Sequence, residues 1–165
     1  KIKAGIYIYY SYQAYTEATS TIQKQNSDLD TTDEEVVKAQ TIDGKDAETW
    51  IKDRTMEYCK EFVAIQKDFD AKGLELSAEQ TNQVKNYISS AWDSSGETFE
   101  KNGIAESSVQ DIFLSTYKEQ ELFQHYYGVD GEKGVTEDEL KKYYEDNDSL
   151  HHLQPERRQR RFAEG

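Results

Sequence analysis

The stretch from Ala47 to Lys72 constrains the fold most. Ile51, Thr55, Tyr58, Phe62, Ile65 and Phe69 follow one another at steps of 4, 3, 4, 3 and 4. Those steps place all six on one face of an α-helix of roughly seven turns. Trp50, Met56 and Cys59 are expected to widen that apolar stripe, and Gly73 to stop the helix as a C-terminal cap. A helix of this length needs other helices to cover its stripe.

Composition agrees. The 165 residues suffice for one domain with a core. One proline and 9 glycines leave few helix breakers, and 32% of residues are charged. Apolar residues make up only 35%, so the 12 tyrosines are expected to supply much of the buried area. The net charge of −13 argues against a nucleic-acid partner, which wants a basic face, and against an anionic membrane held by charge. It equally suits a merely well-solvated surface.

At the N-terminus, Ile6, Ile8, Tyr10 and Tyr12 would line one face of a strand, and Ile6, Tyr9, Tyr10 and Gln13 one face of a helix. No turn signal interrupts the following Gln13-Ala14-Tyr15-Thr16-Glu17-Ala18, so a helix is expected from about Ala4 to Gln25, with Ile2 in an extended lead-in. Residues 26–46 read as a long polar loop around Gly44, with one helical turn at Asp33–Lys38. Such a loop is either mobile or packed over the surface. Ser77 and Gln80 have capping-box spacing before a helix whose apolar side is Val84, Tyr87, Ile88, Ala91 and Trp92. Asp93 to Gly96 is expected to break it, a short helix to carry Phe99, and Asn102-Gly103 to close that. Ser107 or Ser108 is expected to cap the next helix, which buries Val109, Ile112, Phe113, Tyr117, Phe123 and Tyr127 and ends at Gly128. Thr136 to Glu139 is another capping box, stapled by Val135 and Leu140, before a last helix with Tyr143 and Tyr144. After Asn147 the character changes. Residues 151–165 hold four arginines against two glutamates, a net of +2, whereas residues 1–150 have a net of −15. Residues 1–147 are read as one helical domain, and 148–165 as a basic tail outside it.

Few residues invite chemistry. A calcium loop begun at Asp130 would put Val135 where glycine is needed and Lys141 where the bidentate glutamate is needed. His125, His151 and His152 have no zinc-like spacing. Cys59 reads as a small buried hydrophobe, with no histidine near it in sequence to activate it. As the only cysteine it can form no intrachain disulfide, which leaves the compartment open. Carboxylate pairs such as Glu34-Glu35 are unavoidable among 33 acids. No catalytic, cofactor or metal residue is expected. Arg158-Gln159-Arg160-Arg161 suits a dibasic processing site or a nucleic-acid arm, and the change in character suggests a tail foreign to the domain. No run of residues approaches a membrane span. The first residue is Lys1 rather than Met, as in a processed or cut chain.

The aromatic stripes remain. Most should be core, but a chain with several such faces and few aliphatic residues can leave one open as a groove for peptides. Tyr9, Tyr12, Phe113, Tyr117, Phe123 and Tyr127 are the candidates for that face.

Over roughly residues 1–147 the chain resembles the N-terminal chaperone region of SurA/PrsA-type foldases, which are exported parvulin-type peptidyl-prolyl isomerases. Trigger factor has a similar helical peptide-binding domain. Lys1-Ile2-Lys3-Ala4-Gly5-Ile6-Tyr7-Ile8-Tyr9-Tyr10 resembles the start of the family's first helix. Asn102 to Tyr127 resembles the closing helices. Val135-Thr136-Glu137-Asp138-Glu139-Leu140-Lys141-Lys142-Tyr143-Tyr144-Glu145-Asp146-Asn147 resembles the lead-in to the isomerase domain. The resemblance implies an all-α domain of five or six helices that holds unfolded or partly folded exported polypeptides. It further implies export from a Gram-positive bacterium and a lipid anchor upstream. The family would continue into a parvulin domain. Residues 151–165 do not, so no isomerase residue carries over and the chain is expected to be non-catalytic. The alternative is a helical self-association or interaction module, a homodimer for instance, with no client-holding role.

Overall fold

The computed structural model describes residues 1–128, 131–134, 136–139 and 141–142. The expected Val135–Leu140 staple, the helix carrying Tyr143 and Tyr144, the domain end at Asn147 and the tail 148–165 lie outside the described residues. The protein is all-α apart from one small hairpin. Its elements are α1 (Ala4–Gln25), α2 (Glu34–Lys38), β1 (Thr41–Ile42), β2 (Lys45–Asp46), α3 (Ala47–Ala71), α4 (Ala78–Lys101) and α5 (Glu106–Tyr127). The chain forms two compact units, divided between Leu122 and Phe123.

In the first unit, α1 takes the helical alternative over its expected span. Its fully buried side chains, Ile6, Tyr10, Ala14, Ala18 and Ile22, recur every fourth residue. Against a 3.6-residue turn that step precesses about 40° each time, so the buried line winds around the helix. Different neighbours therefore cover its two ends, and Gln13 is left exposed.

The second half of α1 is covered by the segment that reads as a polar loop. The expected helical turn is α2, capped by the Asp33 side chain on the Glu35 N–H. Beyond it the expectation of a plain loop fails. Thr41 and Ile42 pair antiparallel with Asp46 and Lys45. Asp43 (φ 52°) and Gly44 (φ 77°) both sit in the left-handed region, as a two-residue primed turn requires. The segment packs down, and Ala18, Ile22, Val37, Ile42 and Ala47 form one cluster with Leu29, Trp50 and Ile51 against it.

Helix α3 starts on Asp46, whose carboxylate accepts the Thr49 N–H at 2.8 Å. Thr55, Cys59, Phe62 and Phe69 of its stripe are buried, while Ile51, Tyr58 and Ile65 are half-buried. Met56, expected to widen the stripe, is exposed, because it lies about 100° around the helix from Thr55. Gly73 (φ 64°) ends the helix as expected, and the Leu74 N–H returns to the Phe69 carbonyl at 3.2 Å. Ile6, Tyr10, Cys59, Phe62 and Ile112 join α1, α3 and α5 in a second cluster, with Ile2 packed on it.

Helix α4 has the Ser77–Gln80 capping box. The expected break at Asp93–Gly96 does not occur, and α4 runs on through Phe99. Gly96 stays helical because the Trp92 indole lies over it: a Cβ there would come 2.4 Å from a ring carbon. Trp92 then stacks on Phe99, with centroids 5.3 Å apart. Tyr87 and Ala91, expected on the buried side, are exposed. Val84 and Ile88 are buried as expected, in a cluster with Ile104 and Val109. Gly103 (φ 79°) closes the helix, the Ile104 N–H reaching the Phe99 carbonyl at 2.9 Å.

Neither serine caps α5. Its first turn hangs on the Ala105 carbonyl, which accepts the N–H of Ser108 at 2.9 Å. Ser108 is buried where α1 crosses α5; a Cβ on Gly5 would meet its Oγ at 2.6 Å and the Gly103 carbonyl at 3.3 Å. The tyrosine-rich core expected from composition is also corrected. Among the described residues Tyr10 is the one tyrosine in the buried core, and isoleucine, valine and alanine dominate it. A phenol keeps part of its ring near solvent to satisfy its hydroxyl, whereas an aliphatic side chain has no such demand.

In the second unit, the end of α5 carries Phe123 and Tyr127, both exposed rather than buried as expected. Its last carbonyls are taken by a turn: the Glu132 N–H reaches the His125 carbonyl and the Lys133 N–H the Tyr126 carbonyl. The His125 ring nitrogen lies 3.0 Å from a Glu132 carboxylate oxygen. The expected capping box at Thr136 is formed, with reciprocal bonds to Glu139.

Candidate polypeptide-binding surface

The six aromatic candidates do not form a single face. Tyr12 is 68% exposed and stands apart on α1. Phe123 and Tyr127 form a tilted ring pair in the second unit, with centroids 5.2 Å apart. Tyr9, Phe113 and Tyr117 are brought together, half-buried against the Val84–Ile88–Ile104–Val109 cluster.

That grouping is the seam between α4 and α5, and its order follows from two antiparallel helices. At one end the Gln80 amide donates to Glu121 at 2.8 Å. Next, the Tyr117 hydroxyl lies 3.5 Å from the Gln83 side-chain oxygen. In the middle, Tyr87 leans on Phe113, with centroids 5.7 Å apart and ring planes at 40°. At the far end the Ser89 hydroxyl and the Gln110 amide donate to Glu106 at 2.9 and 3.0 Å. Tyr9 enters from α1 and stacks on Phe99. Burial, with Tyr87 as the lesser cause, raises the pKa of its hydroxyl. Tyr87 itself is 62% exposed, so the seam offers an open ring backed by half-buried ones. Helical spacing marked Tyr87 as core and so missed it. The available signal is its place at the edge of the Val84–Ile88 stripe, flanked by Lys85, Asn86, Ser89 and Ser90.

A second concavity, of about 240 Å³, lies between α1, the hairpin and α3. Its charges are spent on one another. Arg54 donates to Glu17 and Glu57, both at 2.9 Å, and stacks over the Tyr58 ring. The Tyr58 hydroxyl donates to the same Glu17 oxygen at 2.7 Å. Lys45 pairs with Asp53, and the Trp50 indole N–H donates to Asp43. Hydrogen bonding from Arg54 lowers the Glu17 pKa. This is a stitch between elements rather than a receptor.

Cys59 is buried, and burial raises its thiol pKa, which disfavours the nucleophilic thiolate. Among the described residues, no three His, Cys, Asp or Glu side chains are placed to hold a metal ion, and no helix is long and apolar enough to cross a membrane. No protein family, curated protein or solved structure matches the chain.

Proposed function

We propose that the chain is a non-catalytic polypeptide-holding domain, of the chaperone-domain fold found in exported peptidyl-prolyl isomerase-like foldases. The α4/α5 seam carries this reading. Exposed Tyr87 rests on half-buried Phe113, beside Tyr9 and Tyr117, on an otherwise strongly charged surface. Rings of this kind bury apolar client side chains at little entropic cost, because a phenol or phenyl has two side-chain torsions to fix. The partners are unfolded or partly folded exported polypeptides, and the setting is extracytoplasmic, with a lipid anchor upstream.

The test is to dilute a chemically unfolded client into buffer with and without the protein and follow light scattering. Slower aggregation at stoichiometric protein is expected, and no slowing would remove the proposal's support. Self-association is a second reading, favoured by the Phe123–Tyr127 pair, whose rings are each more than half exposed. A monomeric mass at high concentration counts against it.

A further inference from the structure

The seam has charge as well as rings. Together α4 and the α5 residues up to Leu122 carry eight carboxylates against three lysines. Two of those carboxylates, Glu106 and Glu121, stand at the two ends of the seam. Both are half-buried, and the partners given above (Ser89, Gln110 and Gln80) are all neutral donors. A carboxylate bonded to neutral donors has no opposite charge spent on it and has oxygen lone pairs to spare. Phe113 lies between them, seven residues from Glu106 and eight from Glu121. Glu106, Phe113 and Glu121 fall within roughly 80° of one another around α5, so they share a face.

At 1.5 Å per residue each acid lies about 10–12 Å along the axis from Phe113. In an extended peptide every second side chain returns to the same face, and four residues span about 13 Å, within reach of a long cationic side chain. Resting on the polypeptide-holding reading above, we infer that the seam selects extended segments with an aromatic or large aliphatic side chain at the centre and a Lys or Arg four residues to either side. The central side chain lies on Tyr87 and Phe113, and the two cations reach Glu106 and Glu121. Charge complementarity sets this class of occupant apart from an uncharged or acidic apolar segment.

The experiment uses the full chain and labelled peptides of about twenty residues in fluorescence anisotropy, with protein raised to millimolar concentration. One peptide carries Lys at both flanks of a central Phe. Others replace the two Lys by Ser or by Glu, or the Phe by Ser. The Lys-flanked peptide is expected to bind at least fivefold more tightly than the Ser-flanked one and to lose that advantage at 0.5 M salt. The Glu106→Gln/Glu121→Gln double variant should lose the same fivefold without weakening the Ser-flanked peptide, and its circular dichroism should be unchanged. Tyr87→Ala should weaken every peptide that contains the central Phe. Equal affinity for the Lys-, Ser- and Glu-flanked peptides overturns the charge selection and leaves the holding activity standing. If no peptide binds and client aggregation is not slowed, both fail.

Discussion

Two regions of the first unit use apolar side chains of different size to opposite ends. Where the second half of α1 meets the hairpin and the start of α3, the small facing residues are Ala18 and Ala47, both fully buried. Small residues let the backbones approach, and Ile22, Val37 and Ile42 then fill the space, with Tyr15 and Trp50 half-buried at its edge. Along the α4/α5 seam the facing rings are Tyr87, Phe113 and Tyr117, with Tyr9 entering from α1. Rings of that size hold the helices apart and cannot all be covered, so Tyr87 stays 62% exposed. A closed contact and an open one thus differ less in hydrophobicity than in side-chain bulk. Closure contributes stability, whereas the open seam contributes a surface.

If that contrast holds, substitutions in the closed region should cost stability and those in the seam should cost binding. The largest effect is expected from Ile22→Ala, which leaves a cavity in the closed cluster and should cost about 2–5 kcal/mol in urea unfolding. A loss below 1 kcal/mol would mean the cluster collapses freely and is not closed by packing. Alkaline pH should strike the same helix. Burial pushes the Tyr10 phenol up from 10.0 to about 12. The folded state keeps that proton while the unfolded chain releases it. Stability is therefore intact below pH 10 and lost as pH rises toward 12, by roughly 2–3 kcal/mol. Tyr10→Phe should flatten that slope in pH-dependent denaturation.

Gly5→Ala sharpens the contrast at the crossing of α1 with α5. Ala favours a helix over Gly by about 1 kcal/mol. The contacts at 2.6 and 3.3 Å should still make the change destabilising, by about 1–3 kcal/mol. A rise in melting temperature would show that the crossing has slack. Ser77→Ala removes the α4 cap and should cost about 1 kcal/mol, with client holding unchanged in the scattering assay. The smallest effect on stability belongs to Tyr87→Ala, under about 1 kcal/mol for so exposed a ring. Its client holding should nonetheless fall several-fold. A large stability loss with holding intact would invert the comparison.

Much of the local structure was legible in the chain. The stripe of α3, the Ser77–Gln80 box, the stops at Gly73 and Gly103 and the span of α1 depend on contacts within a few residues. Three features were not. The Asp43-Gly44 hairpin was hidden inside a polar stretch, although that dipeptide is itself a turn signal. Gly96 looked like a break because its cost in a helix is local, whereas the Trp92 ring that offsets it sits a turn away. Ser108 looked like a cap because its burial beneath Gly5 is a tertiary contact. Of the six aromatic candidates, Tyr9, Phe113 and Tyr117 reached one place, and Tyr87, the ring most open there, had been assigned to the core.

The division has a physical basis. Caps, turns and helical periods are set by hydrogen bonds and steric limits that span four or five residues, so the sequence alone determines them. It likewise determined the acidity of the chain. Periodicity marks a face but not what covers it. Which ring would be sealed like Tyr10, beneath Tyr58, Phe62 and Ile112, and which left open like Tyr87 depended on what the neighbouring helices placed over it. Only the tertiary structure decided that.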